Sequence, residues 1–367
     1  MTAHIHTDGK LLLDRYRIQR FLAEGGMQQV YVAKDLSFER QVALKVPKNA
    51  SAEKRFARSA RMSAKVNHSN VAKTLDYFEV DGRSYLVEEL IPGADLGKRL
   101  ADEFEIVDPH LAAHVIHHLA KGVGAAHHVG VVHRDLKPSN IMVSDDAGLD
   151  LLKITDFGIA KMAEEEMSEA FKDESSITGS QTAMGALPYM APEMIESPKK
   201  AGLPTDIWAI GAILYRLIAG KPPYGTGLSA VPRIYEAKAV AKPPLLASKG
   251  QFEPLSKELW QIVLACLVKD PQLRPSADDV IKMCSRLCYS HSERDTGIIL
   301  NFRAGTGAWG QIRSDQGAKI FFHTHSYYGD SPEAGDRVSF AAFPGSPLPR
   351  AFPVLPLKKV TASAEET

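Results

Sequence analysis

The spacing of apolar residues divides the first 290 residues into a strand-rich part and a helix-rich part. Between Tyr16 and Tyr85, apolar and polar residues alternate in short runs such as RQVALKVP, which is typical of strands. One helical stretch, residues 51–66, interrupts these runs. Beyond Gly93, apolar residues recur at helical spacing, most clearly over residues 109–128. The pattern predicts a small antiparallel sheet with one helix, followed by a helical unit.

The pattern changes again at residues 289–296, where a polar stretch follows the last helical pattern. Residues 297–360 then contain five short β-like runs separated by Gly, Asp and Pro turns. Runs of this kind predict a small β-barrel. We therefore expect two domains, at 13–290 and 297–360, joined by a linker at 291–296.

Composition and charge narrow the class of protein. The chain has 367 residues, of which 44% are hydrophobic and 24% charged, so it is expected to fold around a large core. Lys and Arg together number 44, and so do Asp and Glu, which gives a formal net charge of zero. No overall field therefore attracts the chain to nucleic acid or to an anionic membrane. A polyanionic partner has to be sought locally.

The sequence also predicts a cytoplasmic protein that does not cross a membrane. Three cysteines in 367 residues argue against a secreted disulfide framework and indicate reduced thiols. The first residues show no basic and apolar leader pattern. The longest apolar stretch, residues 207–219, is shorter than the ~20 residues that a membrane span requires, and it contains Arg216. It is predicted to be a buried core helix.

Six short motifs carry the candidate chemistry. They are VALK at 42–45, HRDLKPSN at 133–140, DFG at 156–158, APE at 191–193, DIWAIG at 206–211 and DPQLRPSA at 270–277. In order and spacing they resemble the Hanks-type Ser/Thr protein kinases. One such motif recurs by chance, whereas six in order are specific. The resemblance implies a bilobal protein-kinase fold of the α+β class, with transfer of the ATP γ-phosphate to a protein serine or threonine.

The resemblance also assigns roles to residues. Phosphoryl transfer requires mainly that ATP and the acceptor hydroxyl be held in line, with the phosphate charge neutralised. By resemblance, Asn140 and Asp156 hold Mg²⁺ through hard oxygen atoms. Lys45 pairs with the α- and β-phosphates and Lys137 with the transferred phosphate. Asp135 accepts or orients the proton of the substrate hydroxyl.

Other matched positions line the nucleotide pocket or support it. The remaining ATP-binding positions that the resemblance implies are Leu22, Gly25, Gly26, Val30, Ala43, Glu89 and Ile91. Glu193 resembles the acid that pairs with Arg274 beneath the activation segment. Asp206 resembles the acid that caps the backbone of the catalytic loop.

Three departures from the family pattern bear on activity. In the phosphate loop LAEGGMQQV, Ala23 and Gln28 replace the outer glycines, although the Gln28 amide is still able to reach phosphates. Ala186 replaces the usual threonine, whose hydroxyl links the catalytic Asp and Lys. Ser59 stands where a helix glutamate is expected. Two interpretations therefore remain open: an active protein kinase, and a pseudokinase scaffold whose C-terminal domain binds RNA or single-stranded DNA.

The missing helix acid leads to a specific hypothesis about Lys45. Between Glu53 and Glu79 the only acid is Asp76. By resemblance, Glu89 opens the hinge that binds adenine, which places Glu88 at the gatekeeper position. A carboxylate buried there is costly unless it is paired. We therefore predict that Glu88 is the partner of Lys45.

The segment between Asp156 and Glu193 is acidic at first and then rich in hydroxyl groups. Arg134 resembles the arginine that pairs with a phosphorylated residue of the activation segment. The predicted sites of autophosphorylation are Ser176, Thr178, Ser180 and Thr182.

The C-terminal runs GAWGQI, DQGAKIFFHTH and GDRVSF resemble a cold-shock-type OB domain. The resemblance places Trp309, Phe321 and His323 on a face that stacks on single-stranded bases. Gln311 and Thr324 stand where further aromatic residues are expected. Residues 293–367 contain eight basic and eight acidic residues, so binding would depend on stacking. Binding of single-stranded RNA or DNA and docking of a protein both remain open.

Overall fold

The computed structural model describes residues 4–25, 28–49, 56–57, 60–157, 185–305 and 307–358. In chain order these residues form an antiparallel sheet, a helical lobe and a closed barrel. The predicted succession of a strand-rich part, a helix-rich part and a small barrel is confirmed.

The N-terminal sheet has six strands in the order β1-β2-β3-β4-β6-β5. They are β1 (Leu11–Leu12), β2 (Tyr16–Glu24), β3 (Gln28–Asp35), β4 (Arg40–Pro47), β5 (Thr74–Val80) and β6 (Arg83–Glu89). All neighbouring strands pair antiparallel. Alternation along β4 places Val42, Leu44 and Val46 in the sheet's hydrophobic core. Ala43 and Lys45 therefore lie on the opposite face.

The helical lobe follows the sheet. Its helices are α1 (Leu96–Asp102), α2 (Pro109–His128), α3 (Pro192–Glu196), α4 (Leu203–Ala219), α5 (Val231–Glu236), α6 (Leu245–Ser248), α7 (Glu253–Cys266) and α8 (Ala277–Ser285). A small sheet of β7 (Ala94–Asp95), β8 (Ile141–Val143) and β9 (Leu152–Ile154) lies at its edge. In the described part of the chain, no helix combines the length and the apolar character that a membrane crossing requires.

The central helix α4 is buried on nearly all sides, as its apolar sequence predicts. It ends at Gly220, whose φ of 75° is in the left-handed region. A Cβ atom there would lie 3.0 Å from the backbone oxygen of Glu105. Glycine therefore allows the chain to reverse against the α1–α2 connection.

Five strands close the C-terminal barrel in the order β10-β11-β12-β14-β13. They are β10 (Arg294–Arg303), β11 (Trp309–Ser314), β12 (Lys319–His323), β13 (Arg337–Phe343) and β14 (Arg350–Pro356). The pairing of β12 with β14 is parallel, and the other pairs are antiparallel. The first strand begins within the segment predicted as a linker.

The barrel packs directly on the helical lobe, and the two share one hydrophobic core. Tyr328 and Leu355 of the barrel region belong to the same buried cluster as α2, α4 and α7. The Phe252 ring lies 5.0 Å from that of Tyr328 and 5.4 Å from that of Phe352. After the last strand, Lys358 donates its backbone N–H to Glu103 O at 2.8 Å. The barrel is therefore held through its last strand, β14, and through the segment before β13.

A buried ion pair reinforces this contact. Arg294 Nη1 donates to Asp108 Oδ2 at 2.7 Å, and Arg294 Nη2 donates to Asp108 Oδ1 at 3.0 Å. Asp108 is also the N-cap of α2 and accepts from the backbone N–H groups of His110 and Leu111. Although burial acts to raise the pKa of Asp108, Arg294 more than offsets this effect and holds the pKa below its ordinary value.

Candidate active site

Lys45 lies in the cleft between the N-terminal sheet and the helical lobe, with two carboxylates. Its Nζ is 2.6 Å from Glu88 Oε2 and 2.8 Å from Asp156 Oδ1. Ala43 on β4 is directly opposite Glu88 on β6, so Glu88 and Lys45 share one face of the sheet as diagonal neighbours. The structure thus brings together the pair predicted from the sequence.

The carboxylates of Asp156 and Glu88 differ in how well their negative charge is stabilised beside Lys45. Burial acts to lower the pKa of Lys45, but Asp156 and Glu88 outweigh it, so the pKa is raised. Burial opposes ionisation of Asp156, yet Lys45 and a hydrogen bond from Gln28 hold its pKa below the ordinary value. For Glu88, burial and the nearby Asp156 raise the pKa despite the contact with Lys45. The negative charge of Asp156 is therefore the better stabilised of the two.

The catalytic loop assembles the predicted proton acceptor with its neighbours. Lys137 Nζ lies 2.9 Å from Asp135 Oδ2. Asn140 donates its Nδ2–H to the backbone oxygen of Asp135 at 2.7 Å and to Asp135 Oδ2 at 3.1 Å. A short 3₁₀ turn, Pro138–Asn140, places Asn140 just before β8. With alanine at position 186, Lys137 and Asp135 are linked by a direct ion pair.

Asp206, near the start of α4, anchors the backbone of this loop. Its carboxylate accepts from the backbone N–H groups of His133 and Arg134, each at 2.8 Å. Arg134 has a φ of 67°, a conformation that is costly for a residue with a side chain. His127 Nε2 lies 2.8 Å from the same carboxylate. This contact of His127 was not predicted, because nothing in the sequence spacing shows that the end of α2 meets the start of α4.

The predicted supporting pair beneath the activation segment is also brought together. Arg274 contacts Glu193 through two parallel bonds, of 2.7 and 2.8 Å. Thr205 Oγ1 donates to Glu193 Oε1 at 3.1 Å. The Arg274 guanidinium lies 5.0 Å from the centre of the buried Trp208 ring. The bidentate pair therefore ties α3 to Arg274, and the Thr205 hydrogen bond ties α3 to α4.

Other positions predicted to bind nucleotide lie on β2, β3 and β4 and at the end of β6. Val30 of β3 is directly opposite Lys45, and Val32 is opposite Ala43. Leu22 is exposed at the end of β2. The side chain of Glu89 accepts from Lys153 Nζ at 2.7 Å and from the backbone N–H of Lys73 at 2.8 Å. The Glu89 carboxylate thus links the end of β6 to β9 of the helical lobe, and Ile91, two residues further along the chain, is half-buried.

The phosphate loop is tied at its tip. Gly25 donates its N–H to Gln28 O at 2.9 Å, and Lys48 Nζ donates to Gly25 O at 3.0 Å. Lys48 also forms an ion pair with Glu24. Inside the cleft, Gln28 Nε2 donates to Asp156 Oδ1 at 2.9 Å. From the sequence, the Gln28 amide was judged able to reach phosphates, and its contact with Asp156 was not predicted.

Asn140 and Asp156 fit the Mg²⁺ role that the resemblance implies. The backbone N–H of Thr155 donates to Asn140 O at 2.9 Å. This bond holds the segment that contains Asn140 next to the segment that contains Asp156. The described hydrogen bonds of the Asn140 side chain use Nδ2, which leaves its amide oxygen for a cation. Asp156, whose backbone φ is 63°, supplies an ionised carboxylate. Amide and carboxylate oxygens are suitable ligands for this hard cation.

Some sequence predictions fall outside the described residues. They are Gly26 of the phosphate loop, Ser59, and the predicted phosphorylation sites Ser176, Thr178, Ser180 and Thr182.

The barrel presents a row of aromatic side chains across β11 and β12. Trp309 pairs with His323, and Gln311 pairs with Phe321. The rings of Trp309 and Phe321 are stacked with centroids 5.8 Å apart. The three residues predicted to stack on bases, Trp309, Phe321 and His323, therefore lie on one outward face.

Basic residues surround this row, which we call the aromatic face. They are Arg303 opposite Trp309, Arg350 opposite Phe321, and Arg313 and Lys319 opposite each other. The barrel's Asp315 is paired elsewhere, with Arg337 at 2.5 Å. The aromatic face is therefore locally basic although residues 293–367 are neutral by count.

Comparison with known proteins agrees with the family resemblance of the sequence motifs. A family model described as the protein kinase domain matches residues 16–284. A probable serine/threonine-protein kinase of Clostridium acetobutylicum is 32% identical over 289 residues, which are 76% of this chain and 41% of that protein. Serine/threonine-protein kinase pkn3 of Myxococcus xanthus is 31% identical over 281 residues, 75% of this chain and 50% of that protein. PknB of Mycobacterium leprae is 30% identical over 272 residues, 72% of this chain and 41% of that protein. The chain thus spans half or less of the length of these relatives.

Proposed function

Since the chain belongs to the protein kinase family, we propose that it is an ATP-dependent Ser/Thr protein kinase. The observation that carries this proposal is the set of ion pairs and hydrogen bonds joining Lys45 to Asp156 and Asp135 to Lys137 and Asn140. These are the groups that phosphoryl transfer requires for neutralising charge and for accepting a proton.

Each group has a defined task in the proposed reaction. Asp135, oriented by Asn140 and Lys137, accepts the proton of the attacking hydroxyl. Lys137 lies beside it, where it neutralises charge on the phosphoryl group in transfer. Lys45 contributes positive charge toward the other phosphates. A bound Mg²⁺ would supply further positive charge against the phosphates, and Asn140 and Asp156 would hold it.

The alternative, a pseudokinase scaffold, is the weaker proposal. It rests on the altered phosphate loop, on Ala186 and on Ser59, which affect the positioning of groups. The residues assigned to metal and proton are all present, and Glu88 supplies a buried carboxylate to Lys45. Autophosphorylation between residues 168 and 182, a cytoplasmic location and the identity of the protein substrates remain predictions.

Transfer of labelled phosphate tests the kinase proposal. The purified chain, Mg²⁺ and γ-labelled ATP are incubated with a general protein substrate, and labelled serine and threonine are measured. We expect incorporation by the parent chain and only background by Asp135→Ala, which retains the nucleotide-binding residues. Equal labelling by both proteins, or none by the parent, would favour the scaffold.

We further propose that the aromatic face binds single-stranded nucleic acid. The specific observation is the row of Trp309, Phe321 and His323, in which the first two rings are stacked, with four basic residues around it. Stacking is tolerant of base sequence, and basic residues follow the phosphates. Local positive charge supplies an electrostatic attraction that the equal count of basic and acidic residues over 293–367 does not reveal. A docked protein would not by itself call for this combination.

Replacement of Trp309 by alanine is expected to weaken binding of a labelled oligopyrimidine about 5- to 150-fold. The reason is the loss of one base-stacking contact, which contributes roughly 1–3 kcal/mol. Fluorescence anisotropy on the full chain measures the affinity. Tyr235→Ala, which removes an exposed aromatic from α5 in the helical lobe, is the matched control and should bind like the parent. Equal affinity of Trp309→Ala and the parent would contradict stacking at this face.

A further inference from the structure

Gln28 extends from the roof of the cleft to its floor. It is the first residue of β3, at a phosphate-loop position where the family resemblance has glycine. The residue is 9% exposed, and its Nε2 donates to Asp156 Oδ1 at 2.9 Å. Because the carboxylate of Asp156 only accepts hydrogen bonds, the amide nitrogen is the atom that faces it. Gln28 therefore joins the N-terminal sheet to a predicted metal ligand.

The other end of the same amide is unsatisfied. Among the described residues, Gln28 Oε1 is buried and has no hydrogen-bond partner. A buried acceptor without a donor is unfavourable, so this oxygen has capacity for a group that arrives with a ligand. Phosphate groups of ATP bring acceptors for Nε2, and the water that accompanies a divalent cation brings donors for Oε1. The two ends of the amide thus match the two components of MgATP.

Binding of a cation to Asp156 is also expected to weaken the hydrogen bond between Asp156 and Gln28. Its Oδ1 accepts both from Gln28 and from Lys45. A cation held by this carboxylate competes with those donors for its oxygens. Lys45 already has Glu88 as a second partner at 2.6 Å, whereas the described structure gives the Gln28 Nε2 only this one. The phosphates are then the acceptors within reach.

We propose that Gln28 is a nucleotide-positioning residue that exchanges Asp156 for a phosphate oxygen when MgATP binds. The side-chain amide thereby does the work of the close backbone approach that glycine provides in the family pattern. This inference rests on the proposed kinase function.

Binding measurements without catalysis test the exchange. Calorimetry compares the parent chain with Gln28→Met, which keeps the length of the side chain and removes both polar atoms. The ligands are the β,γ-imido analogue of ATP with Mg²⁺, and adenosine, which has no phosphates. We expect Gln28→Met to bind the imido analogue 5- to 20-fold more weakly than the parent and to bind adenosine equally well.

Two other results of this experiment would distinguish failure of the Gln28 inference from failure of the proposed kinase function. Equal or tighter binding of the imido analogue by Gln28→Met would overturn the inference, and tighter binding would show that Gln28 competes with the nucleotide. If the parent chain binds neither adenosine nor the imido analogue, the proposed function would instead be overturned. If Gln28→Met does not fold, Gln28→Glu, which is isosteric and removes the donor, serves for the same comparison and is expected to weaken analogue binding at least as much.

Discussion

Replacement of Glu88 by methionine is expected to lower kcat/KM for phosphotransfer about 10- to 100-fold. Glu88 makes a 2.6 Å contact with Lys45 in a buried site, and a hydrogen bond to a charged group contributes roughly 1.5–3 kcal/mol. Without it, Lys45 has only Asp156 among the described carboxylates at its ammonium group, and the two neutralise each other. Initial rates on a protein substrate, measured over a range of ATP concentrations, give the effect.

Two variants separate this pairing from a general disturbance. Glu88→Gln keeps the shape and a hydrogen-bond acceptor, so it should retain more activity than Glu88→Met. Adding Ser59→Glu to Glu88→Met places an acid at the position where the family resemblance expects one, and it should restore part of the activity. A fully active Glu88→Met protein, with an unchanged unfolding temperature, would rule out the role of Glu88.

Replacement of Arg294 by alanine is expected to lower the free energy of unfolding by about 3–5 kcal/mol. The change leaves Asp108 buried without its cation, and removal of one partner of a buried ion pair typically costs that much. The loss is also expected to weaken the start of α2, because the Asp108 carboxylate is its N-cap. Chemical denaturation followed by circular dichroism measures the change.

A surface ion pair provides the control for this prediction. Lys200 and Glu196 lie 2.8 Å apart on an exposed part of the helical lobe. Exposed pairs contribute little, so Lys200→Ala should leave the denaturation midpoint almost unchanged. If Arg294→Ala behaves like Lys200→Ala, the barrel is not held to the helical lobe by this pair.

The sequence was sufficient for features whose determinants are local. Alternation over RQVALKVP predicted β4, and the string HRDLKPSN identified the loop that joins Asp135 to Asn140. The pairing of Lys45 with Glu88 was also foreseeable, because a buried carboxylate demands a cation and Lys45 lacked a helix acid. These inferences needed only residue type and distance along the chain.

Features that depend on packing between distant segments could not be predicted in this way. Arg294 and Asp108 are 186 residues apart, and neither lies in a pattern that indicates a partner. The count of eight basic and eight acidic residues in the C-terminal region concealed the local charge of the aromatic face. That charge becomes visible only when strand register places Arg303 and Arg350 beside Trp309 and Phe321. Register is a property of the folded barrel.

The shared core of the barrel and the helical lobe has a thermodynamic consequence. Phe252 contacts both Tyr328 and Phe352, so loss of the barrel would expose apolar surface on the catalytic half of the molecule. The two parts are therefore expected to melt as one cooperative unit. Any molecule that binds the folded barrel then also shifts the unfolding equilibrium of the lobe that contains Asp135, by mass action alone. Occupancy at one end of the chain would in this way set how much catalytically competent protein is present.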